Sequence, residues 1–484
     1  MHLKKITFQD FRCFDSLTIK LHERLTVLVA ENAGGKTSVL DAIAKGLAAW
    51  FSHLDSAEQR LPKFPLDDDD LRVAPAVNNR GRQIAKLVDI TKLTLSMDCD
   101  DAPVDWDIAH VLNNSVLHLS LLNCEHAETA LERYANRLRD AIHDGDDDIS
   151  IPVFAYYGIH RGHVTQEIPD RIHEPNVDYS RRLSALVDAL APNLRDFSEM
   201  IRWFKEASLD EYQWEEARKE GSLAPGESAE RYEGALPHIR RAFEAVLGDR
   251  VSDPRIDRVT KKFVVDFRGD DETVTPLRFD QLSQGYASVL ALVMDLAQRL
   301  ALANPHFDAS TEHDHREGVE EIIDPLSAPA IVLIDEVDLH LHPSWQQRVL
   351  ADLMRAFPGT QFIVTTHSPQ VLTTVKSENI RILGRNAAGA WEAEPPPQEI
   401  KGVESAVALN AVMGVNPIPP VDEAKWLTDY VAHIESGTHS TPDAVNLHQK
   451  LLRLYGPTHP VMLDVDRLTR FQAFKLRKGT RPQA

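Results

Sequence analysis

Near the N-terminus one order of pieces limits the chain more than any other. Leu25-Thr-Val-Leu-Val29 is a short apolar run, a buried-strand signal. It enters Ala30-Glu31-Asn32-Ala33-Gly34-Gly35, and then Lys36, Thr37 and Ser38. Apolar residues at helical spacing follow: Val39, Leu40, Ile43, Leu47 and Trp50. Strand, glycine turn and helix in this order form a phosphate-binding loop, because loop N–H groups and a helix N-terminus favour anionic phosphate. Residues 30–38 are therefore candidate nucleotide contacts. Lys36 would neutralise β- and γ-phosphates, and the Thr37 hydroxyl would sit on Mg²⁺. Ala30 stands where such loops usually begin with glycine, which is acceptable only if that position does not need a positive φ. The bland alternative, a Gly-Gly turn before a helix, is weakened by the strand before it and the helix after it.

A second stretch fits the same chemistry. Ile331-Val-Leu-Ile334 reads as a buried strand and ends in two acids, Asp335 and Glu336. The first acid can hold Mg²⁺ as a hard oxygen ligand. The second can orient or deprotonate an attacking water. Alone, an ordinary strand with an acidic turn would compete with this reading. Two further segments weigh against that. Thr360-Gln-Phe-Ile-Val-Thr365 is another buried strand, and His367 follows its polar tip, within reach of a bound phosphate. Ser283-Gln284-Gly285 opens an apolar helix and offers a hydroxyl and free N–H groups at a positive helix end.

Composition sets the outer bounds. The chain has 484 residues, 43% hydrophobic and 26% charged, as in a globular protein of one to three domains. No apolar run is read as long enough to span a bilayer. The N-terminus enters a strand pattern with no leader before it. The three cysteines lack metal-ligand spacing and fit a reducing cytoplasm. A net charge of −21 argues against a surface built for nonspecific DNA binding. Residues 467–484 are the exception, with Arg467, Arg470, Lys475, Arg477, Lys478 and Arg481 and no acid. A solvated tail is the first reading, and contact with DNA, RNA or an acidic partner stays open. The Pro- and Asp-rich stretch 52–84 reads as a solvated loop. The acidic stretch 304–324, with His306, His313 and His315, reads as a loop rather than a metal site. Strand signals occur at 92–97, 115–119, 149–157 and 259–267, and helical ones at 125–148, 176–248, 402–413, 421–435, 444–454 and 459–475. Residues 391–397 look like a linker.

Taken in order, these segments resemble an ABC-type ATPase head of the SMC/RecF/OLD group. Residues 30–37 match Walker A, 282–286 the signature motif, 331–336 Walker B, 338–343 the D-loop and 366–369 the switch histidine. Phe11-Arg12-Cys13-Phe14 resembles an N-terminal segment of this group whose arginine lies near the nucleotide. Within the group, the Ala155-Tyr-Tyr-Gly158-x-x-Arg161 turn, the Thr366-His-Ser-Pro369 tip, the compact insert and residues 406–417 resemble the PtuA-like ATPases of Septu and retron antiphage systems. The resemblance implies an α/β P-loop NTPase head, split as 1–175 and 249–385. It implies an inserted helical subdomain at 176–248 and a C-terminal helical partner or oligomerisation region at 386–484. It also implies ATP and Mg²⁺, with Lys36, Glu336 and His367 catalytic and Thr37 and Asp335 on the metal. Arg12, Ser283, Gln284 and Gly285 are implied nucleotide contacts. Two heads would sandwich two ATP molecules, in a dimer or higher homo-oligomer, alongside a separate PtuB-like HNH nuclease and no membrane. A RecF-like repair ATPase would need a basic DNA face. An OLD-like ATPase-nuclease would need a TOPRIM nuclease domain after the switch histidine, where only about 115 residues remain and read as helical.

Overall fold

The computed structural model describes residues 1–54, 64–77, 83–99, 102–112, 130–144, 149–161, 182–191, 197–223, 234–305, 307 and 324–479. The strand expected at 115–119 and the histidine-bearing stretch from 308 to 323 lie outside them.

The chain opens with β1 (His2–Phe11) and β2 (Phe14–Lys20), an antiparallel pair that alternates buried and exposed residues. β3 (Leu25–Val29) is buried at every position and leads through the glycine loop into α1 (Lys36–Leu54). A hairpin, β4 (Val73–Val77) and β5 (Gln83–Leu87), precedes β6 (Ile90–Cys99) and β7 (Ala102–Val111). β6 returns to pair with β1, giving an antiparallel sheet ordered β2-β1-β6-β7. Leu3, Ile6, Phe8, Leu93, Leu95 and Met97 are buried on its inner face. Leu95 fills the space where a Cβ on Gly46 of α1 would stand.

α2 (Ala130–His143) leads to β8 (Val153–Tyr157). The insert contributes α3 (Phe197–Glu220) and α4 (Leu236–Leu247), helical as expected. α4 buries Leu236, Ile239, Phe243 and Val246 in the main core, so the insert is not a separate globule. A second antiparallel sheet is built from β9 (Val251–Ile256), β10 (Phe263–Arg268) and β11 (Val274–Arg278). The strand expected from Val259 begins at Phe263, because Asp257 Oδ1 accepts from the N–H groups of Val259 and Thr260 and holds those residues in a turn.

α5 (Gln284–Ala303) is capped by Ser283 and opens with the segment expected as the signature motif. Among the described residues it is the one helix long and apolar enough to cross a membrane, which corrects the expectation that no such run exists. Its apolar window is 89% buried inside the fold, as a core helix requires. Next come β12 (Ala330–Ile334), the short α6 (Pro343–Gln346), α7 (Val349–Ala356), β13 (Thr360–Thr365), the short α8 (Pro369–Leu372), β14 (Ile380–Arg385) and β15 (Trp391–Glu394). The third sheet is ordered β15-β14-β3-β13-β12-β8 and is parallel except for β15. Its inner strands are buried at every position, the pattern of a sheet covered on both faces.

α9 (Ser405–Met413) ends the first of two compact units, Met1–Met413. The second, Gly414–Ala484, contains α10 (Asp422–Glu435), α11 (Pro442–Tyr455) and α12 (Pro460–Gly479) around Tyr430, Ile434, Leu451, Met462 and Val465. The C-terminal region expected from 386 therefore starts later. Trp391–Glu394 is a strand rather than a linker, and Ile400, Ala408 and Val412 are buried in the first core.

Candidate nucleotide site

In the parallel sheet the strands β3, β13, β12 and β8 lie side by side. Their carboxyl ends bring the glycine loop, His367, Asp335-Glu336 and Arg161 to one edge, the place where open α/β sheets bind ligands.

The loop departs from the expected pattern without strain at its first residue. Ala30 is buried and does not have a positive φ, so alanine is accepted there. The left-handed positions are Ala33, with φ 62°, and Gly35, with φ 82°. A Cβ on Gly34 would come within 2.6 Å of Ala30 Cβ, and one on Gly35 within 2.4 Å of the Phe14 ring. The backbone is thus open where a phosphate would approach and crowded from below. Lys36 Nζ donates to the carbonyls of Ala30 at 3.0 Å and Glu31 at 3.3 Å. Burial lowers its pKa, against the attraction of Asp335, Glu336 and Asp338. Glu31, Asn32, Ala33 and Thr37 are exposed, and Ser38 is partly buried.

Thr37 Oγ1 donates to Asp335 Oδ2 at 2.9 Å, across 298 residues of chain. Thr365 Oγ1 donates to Asp335 Oδ1 at 2.6 Å. A hydroxyl and a carboxylate together at a phosphate loop are the hard oxygen donors Mg²⁺ takes, with phosphate oxygens and water completing its shell. Among the described residues no group of three His, Cys, Asp or Glu side chains is placed to hold a metal. The donor set thus suits a metal shared with phosphate rather than a protein-only cage.

Glu336 is partly buried and sits at φ 47°, a left-handed conformation unusual for glutamate. Its N–H donates to Thr365 Oγ1 at 2.7 Å. Beside it, Thr366 Oγ1 donates to Asp338 Oδ1 at 2.6 Å, which ties the D-loop to the tip of β13. His367 is exposed at that tip.

The signature residues stand apart from this cluster. Ser283 caps α5, its Oγ accepting from the Tyr286 N–H at 3.4 Å, and Ser283 and Gln284 are exposed. Gly285 is buried, and a Cβ there would meet the His340 carbonyl at 2.5 Å. Among the described residues no hydrogen bond joins Ser283 or Gln284 to the loop of the same chain.

Arg12, an expected nucleotide contact, has carboxylate partners of its own. Its guanidinium is held by Asp41 at 2.6 Å and Asp70 at 3.1 Å. Burial lowers its pKa, but the two carboxylates outweigh that and raise it. The same segment still meets the loop through Cys13 and Phe14, which pack under Gly35. Asp70, read as part of a solvated acidic run, is fully buried and paired with Lys45. Asp67 caps the short 3-10 helix Asp68–Asp70. Arg161, part of the turn after β8, meets the same strand tip. Its guanidinium bonds the backbone carbonyls of Asp335 and Glu336.

The comparisons with known proteins agree with the motifs. A family model described as "AAA domain, putative AbiEii toxin, Type IV TA system" matches residues 106–373, and one described as "AAA domain" matches residues 5–93. The Retron Ec83 probable ATPase of Escherichia coli is 25% identical, over 96% of this chain and 86% of that protein. The Retron Vc95 probable ATPase of Vibrio cholerae serotype O1 biovar El Tor is 26% identical, over 79% and 73%. A Septu protein PtuA of Bacillus mycoides (strain KBAB4) is 30% identical, over 31% of this chain and 18% of that protein. A solved Smc head bound to the C-winged helix domain of ScpA aligns over 81% of this chain and 97% of that chain, at 15% identity and a TM-score of 0.41. With its phosphate loop, its acid-tipped strand and a family match over more than half its length, the chain belongs to the "AAA domain, putative AbiEii toxin, Type IV TA system" family of P-loop ATPases.

Proposed function

We propose that the chain is the ATP-binding and ATP-hydrolysing subunit of a PtuA-like antiphage defence complex, whose nucleotide state governs a separate HNH nuclease partner. The ATPase part rests above all on the 2.9 Å contact between Thr37 and Asp335, which joins the phosphate loop to the acidic strand tip. The defence setting rests on the similarity to the retron ATPases and to Septu PtuA.

Thr37 and Asp335 would hold Mg²⁺, which when bound supplies charge to offset that of the phosphates. Lys36 turns from the loop carbonyls to the β- and γ-phosphates. Glu336 accepts the proton of the attacking water at its carboxylate. His367 reaches the terminal phosphate from the neighbouring strand tip. The exposed Ser283 and Gln284, unattached to their own loop, support a sandwich in which a second copy contributes its signature residues to this nucleotide. The basic end of the second unit supports a contact with a partner or with nucleic acid.

The test is a pair of substitutions in the purified chain. Glu336→Gln should keep nucleotide affinity and lose turnover by about 10²–10⁴-fold, the usual contribution of a general base. Lys36→Ala should lose affinity itself. Normal hydrolysis by Glu336→Gln, or unchanged binding by Lys36→Ala, would overturn the assignment.

A further inference from the structure

Arg161 stands where β8 ends, beside the acid-bearing strand. Its guanidinium donates to the carbonyls of Asp335 and Glu336, each at 2.5 Å, and to the Gly158 carbonyl at 3.2 Å. Among the described residues the acceptors of this cation are backbone oxygens rather than carboxylates. Burial lowers its pKa to about 10, against the pull of Asp335, Asp338 and Glu336, so it remains charged at neutral pH. Seating a charge on peptide carbonyls costs desolvation, and among the described residues no direct ion pair offsets it beyond the more distant pull of these carboxylates. What the arrangement gains is geometric. Glu336 lies in the left-handed region at φ 47°, a conformation its own backbone resists. The Glu336 N–H donates to Thr365 Oγ1 and Arg161 donates to the carbonyls of Asp335 and Glu336, so the peptides on both sides of Glu336 are held. Arg161 is also linked to the signature helix: Ser288 Oγ, on the second turn of α5, donates to the Arg161 carbonyl at 3.3 Å.

We infer that Arg161 is a positioning residue for ATP hydrolysis, holding the Asp335–Glu336 peptide so that the Glu336 carboxylate faces the water, and tying that geometry through Ser288 to the signature helix. The inference rests on the ATPase reading above and adds a route for its control. A signature helix shifted by engagement with a second nucleotide would pull on Arg161, and Arg161 would re-aim the base.

The experiment uses the full chain with Arg161→Ala, Arg161→Lys and Ser288→Ala, with and without Glu336→Gln. Nucleotide affinity is read with a fluorescent ATP analogue, turnover by phosphate release, and backbone opening by hydrogen exchange over residues 335–338 without nucleotide. Arg161→Ala should lower kcat about ten-fold or more, with KM and affinity within about two-fold of wild type, since a misplaced group costs rate rather than binding. Exchange at 335–338 should rise. Guanidinium ion at tens of millimolar (roughly, well below denaturing levels) should restore part of the rate, while sodium at equal strength should not. Arg161→Lys, which keeps the charge but replaces the planar two-nitrogen fork by a single ammonium on a shorter reach, should fold and fall between alanine and wild type. Ser288→Ala should lower kcat less. Combined with Glu336→Gln, Arg161→Ala should cost nothing further. A wild-type kcat in Arg161→Ala, or a fully additive loss with Glu336→Gln, overturns the inference while leaving the ATPase reading intact. So does loss of nucleotide affinity in Arg161→Lys without any response of the alanine variant to guanidinium. A wild type without turnover sinks both.

Discussion

At the scale of single residues, the phosphate loop is an unusual solution built on one methyl group. Ala30 replaces the customary glycine, and Gly34 accommodates it, since its missing Cβ would stand 2.6 Å from Ala30 Cβ. Gly34→Ala should therefore weaken nucleotide binding about ten-fold or more, each ten-fold being ~1.4 kcal/mol. Ala30→Gly should bind normally and, combined with Gly34→Ala, should restore part of the loss. Titration with a fluorescent nucleotide reads all three, and a Gly34→Ala variant that binds like wild type would contradict the geometry. Lys36, Thr37, Asp335, Glu336 and His367 were legible in the sequence because each belongs to a short local pattern at a strand end. Arg161 was visible, but its contacts were not. Its partners are carbonyls 174 and 175 residues away, and only the placing of β8 beside β12 brings them together.

At the scale of elements, the contact between α1 and the 3-10 helix Asp68–Asp70 was misread for a definable reason. Four consecutive aspartates look like a solvated face. In the fold, Asp70 is fully buried against Lys45 of α1 and also accepts from Arg12 and from its own Asp67 N–H. Lys45→Met would leave a buried carboxylate without its nearest cation, so it should cost about 3–5 kcal/mol in denaturant unfolding. Lys45→Met with Asp70→Asn should recover part of that. Loss of less than about 1 kcal/mol, the range of surface pairs, would mean that the pair is solvated after all. The long periodic elements α5, α10, α11 and α12 match the sequence reading closely. β9, β11 and β15 were missed because Pro254, Pro276 and the acids Glu392 and Glu394 break the apolar run by which the equally short β3 and β12 are read.

At the scale of the molecule, the boundary after Met413 makes a prediction about truncation. A chain ending at residue 413 keeps β15 and α9 and should fold and bind nucleotide. One ending at residue 385 removes Trp391, Ile400 and Ala408 from the first core and should unfold at lower temperature or fail to accumulate. Equal thermal stability of the two would place the boundary where the sequence suggested it. The strand that decides this, β15, has a further consequence. Trp391 Nε1 donates to the Cys13 carbonyl at 3.0 Å, and its ring meets Phe14 edge-on at 5.0 Å between centroids. Phe14 in turn lies under Gly35 of the phosphate loop. One indole is thus two side-chain contacts from the place where a phosphate would sit, so its emission should change on nucleotide binding in a variant whose other six tryptophans are replaced by phenylalanine.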